Sequence, residues 1–386
     1  MPSPQHPIYL DYNATTPVAA EVLEAMLPYL GGEFGNPSSS HPYGQRARQA
    51  VEQARAQVAT LLNARPEEIV FTSGGTEANN LAIHGVAQAR PRRRHLLTST
   101  IEHPATALPC RHLERLGWVV SRVDVDAEGQ LLVAQAAAAL REDTALVTLI
   151  HANNETGVLQ PVKELAAVAR KQGVVVHTDA AQSVGKVPVD VGALGVDLLT
   201  VVGHKLYAPK GVGALYVREG TELEPFTLGG SQEHGLRPGT ENVPYIVALG
   251  AACELARKQL AQGTAALEQL RERLWRRLQA EVPGVRLTGH ATQRLPNSLN
   301  VRFPGVRGST VLAGAPEVAA STGSACHEGS ETASAVLLAM GIPAQEALGA
   351  VRLTLGWGTT AQEVDLAASA LARAWRAASG SPGPHP

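Results

Sequence analysis

Five short, almost continuously apolar runs set the strongest limit on how this chain can fold: EIVFT (68–72), HLLTST (95–100), ALVTLI (145–150), VVVHTD (174–179) and DLLTVV (197–202). Runs of this length without polar alternation read as strands buried on both faces. The stretches between them carry helical periodicity. In 46–62, Val51, Ala54, Val58 and Leu61 recur at helical spacing, and in 161–172 Pro161 opens the pattern while Gly173 lies just past its end. Strands alternating with helices predict an α/β fold with a mainly parallel sheet flanked by helices.

The character changes near 252. A long Ala/Leu/Arg/Glu helical stretch is interrupted only by Gly263; VRLTG and SLNVRF then read as strands, and 329–340 and 361–377 as helices. With 386 residues the chain exceeds what one core usually serves. The expectation is a large domain over 15–255, a smaller α+β domain from 1–14 and 256–378, and a disordered tail at 379–386.

A net charge of −2 offers no bulk attraction to nucleic acid or an anionic membrane. The basic knot Arg-Pro-Arg-Arg-Arg at 90–94 is expected to be a solvated helix-to-strand loop. Cys110, Cys253 and Cys326 form neither a disulfide framework nor a zinc pattern. No apolar run reaches the roughly 18 residues of a membrane span, and MPSPQHP lacks the features of a signal peptide. A soluble, cytoplasmic protein is expected.

In open α/β sheets, ligands bind outside the carboxyl ends of the strands. The first run is followed by SGGTEANN, where Gly75 and Thr76 open a helix whose N–H groups can seat a phosphate. The second is followed by His103, the third by Asn153 and Asn154, the fourth by Asp179 and Gln182, and the fifth by His204 and Lys205. Singly, each has an ordinary explanation as a cap or turn residue. Five successive strand ends delivering complementary polar groups do not. An amine that can form an imine, a carboxylate for a pyridine nitrogen, an imidazole and a phosphate seat are the needs of one aldehyde-bearing cofactor. A metal site from Asp179, His177, His103 and His204 competes; it is discounted on the expectation that His177 and Asp179 face opposite sides of their strand. Further on, Arg352 in AVRLTLG suits a carboxylate clamp or a surface strand position, and Cys326 lies in the Gly/Ser-rich STGSACHEGS.

Taken in order, YLDYNATTP, FGNPSSSH, EIVFTSGGTEANNLAI, EHPA, HANNETG, HTDAAQSVGK, GHKLYAPKGVGALYVR, RPGTENV, PNSLNV, STGSAC and VRLTLGWGTT resemble the cysteine desulfurases over nearly the whole chain. These are pyridoxal 5'-phosphate (PLP) enzymes of the class V aminotransferase group with fold type I. The resemblance implies that Lys205 forms the imine with PLP, Asp179 pairs with the pyridine nitrogen and His103 stacks on the ring. It places Gln182 and Asn154 near the ring hydroxyl and substrate, and Gly75, Thr76 and His204 at the phosphate. Thr240 corresponds to a residue given to the other subunit's phosphate, which implies a homodimer. Arg352 resembles the arginine that binds the substrate carboxylate, and Cys326 the cysteine that becomes persulfidated.

The implied reaction takes L-cysteine to L-alanine and passes sulfur through Cys326 to an acceptor protein, such as an iron–sulfur scaffold or a tRNA-thiolation protein. A selenocysteine lyase or another class V aminotransferase would share the fold and cofactor, and a non-catalytic scaffold would be expected to have lost one of the set. The chain departs from the family at Val202, where a serine is usual, at Trp357 in place of a frequent Arg, in the short segment 308–321, and in the His-Glu that follows Cys326.

Overall fold

The computed structural model describes residues 6–322 and 332–380. Twelve strands are present among them: β1 Ile8–Tyr9, β2 Ile69–Thr72, β3 His95–Ser99, β4 Val119–Val123, β5 Thr144–Ile150, β6 Val175–Asp179, β7 Leu198–Val202, β8 Gly213–Val217, β9 Arg286–Leu287, β10 Ser298–Arg302, β11 Val318–Ala319 and β12 Ala350–Thr354. All five apolar runs become strands of one seven-stranded sheet, in the order β2-β8-β7-β6-β5-β3-β4. The pairings from β7 through β4 are parallel, and β8 lies antiparallel between β2 and β7. β4 had no apolar signal because it closes one edge, and only Val123 of its five residues is buried.

Side chains alternate across the pleat into two cores. Leu97, Val147, Val176 and Leu199 enter one apolar cluster, with helix α2 (Pro42–Leu62, following α1, Ala20–Leu30) and the helix Val243–Gln262. Leu96, Leu146, Val175 and Leu198 enter the other, beneath α3 (Gly75–Ala89) and α4 (Pro104–Arg115). Both faces are therefore covered, which explains the absence of polar alternation in the central strands.

A third core gathers Leu274, Leu299, Val301, Val351, Leu353 and Trp375 around the sheet β12-β10-β9. Ile8 and Leu10 belong to this core, and β1 pairs in parallel with β11, so the first strand packs with the C-terminal part. Gly263 breaks the long helical stretch as expected: it follows Val243–Gln262 with φ +92° and precedes Ala265–Glu281. Of the helix expected at 329–340, the described part is Ala335–Ala339. The basic knot serves as a set of carbonyl caps: Arg90 and Arg93 donate to the Gly173 carbonyl and Arg94 to that of Leu116, while Arg92 is exposed. No described helix is long and apolar enough to cross a membrane.

A buried ion pair joins the first cluster to the segment before Val243. Arg55 on α2 donates from both terminal nitrogens to Glu233 at 2.8 Å, and the Glu233 carboxylate accepts the Phe71 N–H of β2 at 2.7 Å. Arg55→Met leaves that carboxylate buried without its cation and should cost about 3–5 kcal/mol in denaturant unfolding. The double variant with Glu233→Met should recover much of the loss. A cost for Arg55→Met below about 1 kcal/mol, the range of surface pairs, contradicts the assignment.

Candidate active site

The carboxyl ends of β2, β3, β5, β6 and β7 open onto a cavity of about 340 Å³. Gly75, Thr76, His103, Asn154, Asp179, Gln182, His204, Lys205 and Arg352 all line it, so nine residues singled out in the sequence meet in one place.

Lys205 ends a tight turn, Gly203–Lys205, that continues β7. Its amine donates to the backbone carbonyls of Asn13 at 2.7 Å and Ala14 at 2.6 Å. Burial, followed by the nearby Arg352 guanidinium, brings its pKa down to about 8. Neighbouring His204 shares a hydrogen bond with the Thr15 hydroxyl and is held at about 4 by burial, with Lys205 adding to the effect.

Asp179 ends β6. One carboxylate oxygen accepts from Asn79 Nδ2 at 2.8 Å and the other from the Ala181 N–H at 3.0 Å. Asn79 comes from α3 and is braced in turn by the Thr106 hydroxyl at 3.1 Å. His103 is the N-cap of α4, and its Nδ1 accepts the Ala105 N–H at 3.1 Å. That bond leaves the hydrogen of a neutral ring on Nε2. Burial lowers the His103 pKa, which favours the neutral ring.

α3 begins at Gly75, and its first-turn N–H groups have no helical acceptors. Gly74 before it has φ +147°, a conformation that strongly favours glycine. A Cβ on Gly75 would stand 2.6 Å from Val202 Cγ2. Val202, which offers no hydroxyl, thus forms a wall of the cavity that only glycine accommodates.

Arg352 is buried in β12 rather than lying on the surface. Nη2 binds Asp11 Oδ1 at 2.7 Å, Nη1 donates to the Asn154 carbonyl at 3.1 Å, and Nε is buried without a partner. Thr240 is exposed, outside the cavity lining, in the segment before Val243–Gln262. Cys326 lies outside the described residues. Cys110 and Cys253 are buried in helices, and burial raises both thiols, Cys110 to about 12.

His177 and Asp179 do not face opposite sides of β6, as the sequence led one to expect. Residues two apart on a strand share a face, so His177 and Asp179 point the same way. Their partners distinguish them: His177 is fully inside the sheet, with its ring nitrogens on the Thr148 and Thr200 hydroxyls at 2.8 and 3.1 Å. Asn13 and Asn79 were missed as site residues. Asn79 stood in the quoted SGGTEANN, one helical turn from Thr76, and that spacing was the available signal.

In cofactor-free protein, the pH dependence of Lys205 labelling by an amine-selective reagent should have its midpoint near 8. A midpoint at the ordinary lysine value of about 10.4 would contradict the burial argument.

The profile of the family described as aminotransferase class-V matches residues 8–366. Cysteine desulfurase 2 of Trichormus variabilis is 47% identical over 360 residues, covering 93% of this chain and 90% of that protein. A NifS-like protein of known structure superposes with a TM-score of 0.89 at 37% identity, covering 95% of this chain and 98% of its own. SspA, solved in complex with cysteine, superposes at 0.80 with 39% identity, covering 90% and 98%. The chain belongs to the class V aminotransferases and, within them, to the PLP-dependent cysteine desulfurases.

Proposed function

We propose that this chain takes sulfur from L-cysteine with PLP as cofactor, leaving L-alanine and a persulfide on Cys326. The observation that carries the reading is the meeting, in one cavity, of a half-buried low-pKa amine, a braced strand-end carboxylate, a helix N-terminus and an arginine. These residues fit PLP. Lys205 would bind its aldehyde, Asp179 its pyridine nitrogen, and Gly75, Thr76 and His204 its phosphate, with Gln182 and Asn154 beside the ring hydroxyl. When bound, PLP supplies an electron sink for the charge that develops at the substrate Cα.

The chain's own groups do the rest. Arg352, which lines the cavity, receives the substrate carboxylate through its guanidinium. Lys205, with its pKa near 8, is a base of suitable strength for the Cα proton. Neutral His103 takes the thiol proton. The Cys326 thiolate attacks the substrate sulfur, so that an S–S bond forms as the substrate C–S bond breaks, and the carbon fragment leaves as alanine after protonation. Sulfur then passes to an acceptor protein, such as an iron–sulfur scaffold or a tRNA-thiolation protein.

Residues 15–255 form the PLP-binding domain in this reading, and 1–14 with 256–378 the smaller domain carrying Cys326. A homodimer in which Thr240 reaches the other copy's phosphate seat is supported by the exposed Leu23, Leu27, Leu30 and Phe34 at α1 and Leu228 beyond the sheet. A cytoplasmic setting suits the free thiols of Cys110 and Cys253.

Purified protein loaded with PLP should release alanine from L-cysteine. Cys326→Ala should lower the rate by at least about 100-fold, the loss of a covalent nucleophile, while the bound cofactor keeps its colour. Arg352→Ala should raise KM by about 10- to 100-fold, the worth of a hydrogen bond to a charged group. Full alanine release by Cys326→Ala would overturn the persulfide step, and an unchanged KM would overturn the clamp.

A further inference from the structure

A second lysine lies behind the first. Lys186 is buried, and its amine donates to two side-chain amide oxygens, Gln182 Oε1 at 2.8 Å and Asn13 Oδ1 at 3.0 Å. It makes no ion pair among the described residues. Burial and the neighbouring cations Lys205 and Arg352 hold its pKa well below the ordinary lysine range. In either protonation state it remains a donor, because a neutral amine still has two N–H groups for its two acceptors.

A donor of this kind dictates the orientation of both amides. Gln182 must turn its oxygen to Lys186, and its Nε2 is thereby directed the other way, where one hydrogen reaches the Asn13 carbonyl at 2.9 Å. The second Nε2 hydrogen has no protein partner among the described residues, and Gln182 lines the cavity. That same Asn13 carbonyl accepts from Lys205.

We propose that Lys186 is a positioning residue for the reaction: it locks Gln182 and Asn13 with their amide oxygens facing inward, so that Gln182 faces the cofactor cavity as a hydrogen-bond donor. The inference rests on the reading that PLP occupies this cavity with its ring hydroxyl near Gln182. A donor there stabilises the negatively charged oxygen of the ring and so lowers the pH at which the Lys205-bound cofactor loses its proton. Without Lys186, the Gln182 oxygen loses its buried donor and the bond from Nε2 to the Asn13 carbonyl alone holds the amide, so that orientations with the oxygen facing the ring become populated and do the opposite.

The test is the visible absorbance of PLP-loaded wild type, Lys186→Met and Gln182→Glu, titrated against pH. Lys186→Met removes the lock with little change of volume. Gln182→Glu keeps an acceptor for Lys186 but cannot donate when ionised. Both should raise the titration midpoint by about one pH unit, the scale of one hydrogen bond to a charged group. A Lys186→Met midpoint equal to that of wild type overturns the proposal. If Lys186→Met does not fold or hold cofactor, Gln182→Glu decides: a raised midpoint supports the donor role that Lys186 enforces, and an unmoved one overturns it. Wild type that takes up no PLP would instead sink the reading of the cavity itself, an outcome separate from unmoved midpoints in yellow protein.

Discussion

The arrangement depends on how the N-terminal segment closes over the carboxyl edge of the sheet at Asn13 and Ala14. Two backbone carbonyls there take the Lys205 amine. The Asn13 N–H reaches the Thr354 hydroxyl at 3.0 Å and its side chain donates to Ser298 at 2.9 Å, both from the strands of the C-terminal core. Its Oδ1 receives Lys186. One short polar residue therefore ties the C-terminal core to the carboxyl edge of the seven-stranded sheet and to both lysine amines, and this is why chain termini distant in sequence meet at the site.

Such a site runs against folding stability. Buried Lys186 and Arg352 and half-buried Lys205 bring three basic groups out of bulk water, with Asp11 the one carboxylate in direct contact with any of them among the described residues. Desolvation on this scale is tolerated where each hydrogen has an acceptor, and the carbonyls of Asn13, Ala14 and Asn154 provide several. The same desolvation brings the Lys205 amine toward neutral pH. The chemistry and the cost of building it have one physical origin.

Much of this could be read from the sequence. The five apolar runs announced their strands because a parallel sheet covered on both faces admits no polar alternation, and the residues after them reached one cavity because strand ends share an edge. β4 and β8 were not announced: the first is a half-exposed edge strand, and the second, GALYV, is a short run within the motif around Lys205. The roles of Asn79 and Asn13 are tertiary. The helical spacing from Thr76 marks the face of Asn79 but not its partner Asp179, which lies 100 positions away, and Asn13 reaches Lys205 across 192, a separation over which a single sequence carries no spacing signal. Lys186 stands in HTDAAQSVGK with nothing in the pattern to give it a role, since burial, which makes it a donor to amides rather than a solvated cation, is a property of the packed chain.

Reducing the PLP-loaded protein with borohydride and locating the added mass in its peptides distinguishes Lys205 from Lys186 as the residue that holds the cofactor. One phosphopyridoxyl group per chain is expected, on Lys205. Modification at Lys186, or protein that acquires no such mass, would contradict it.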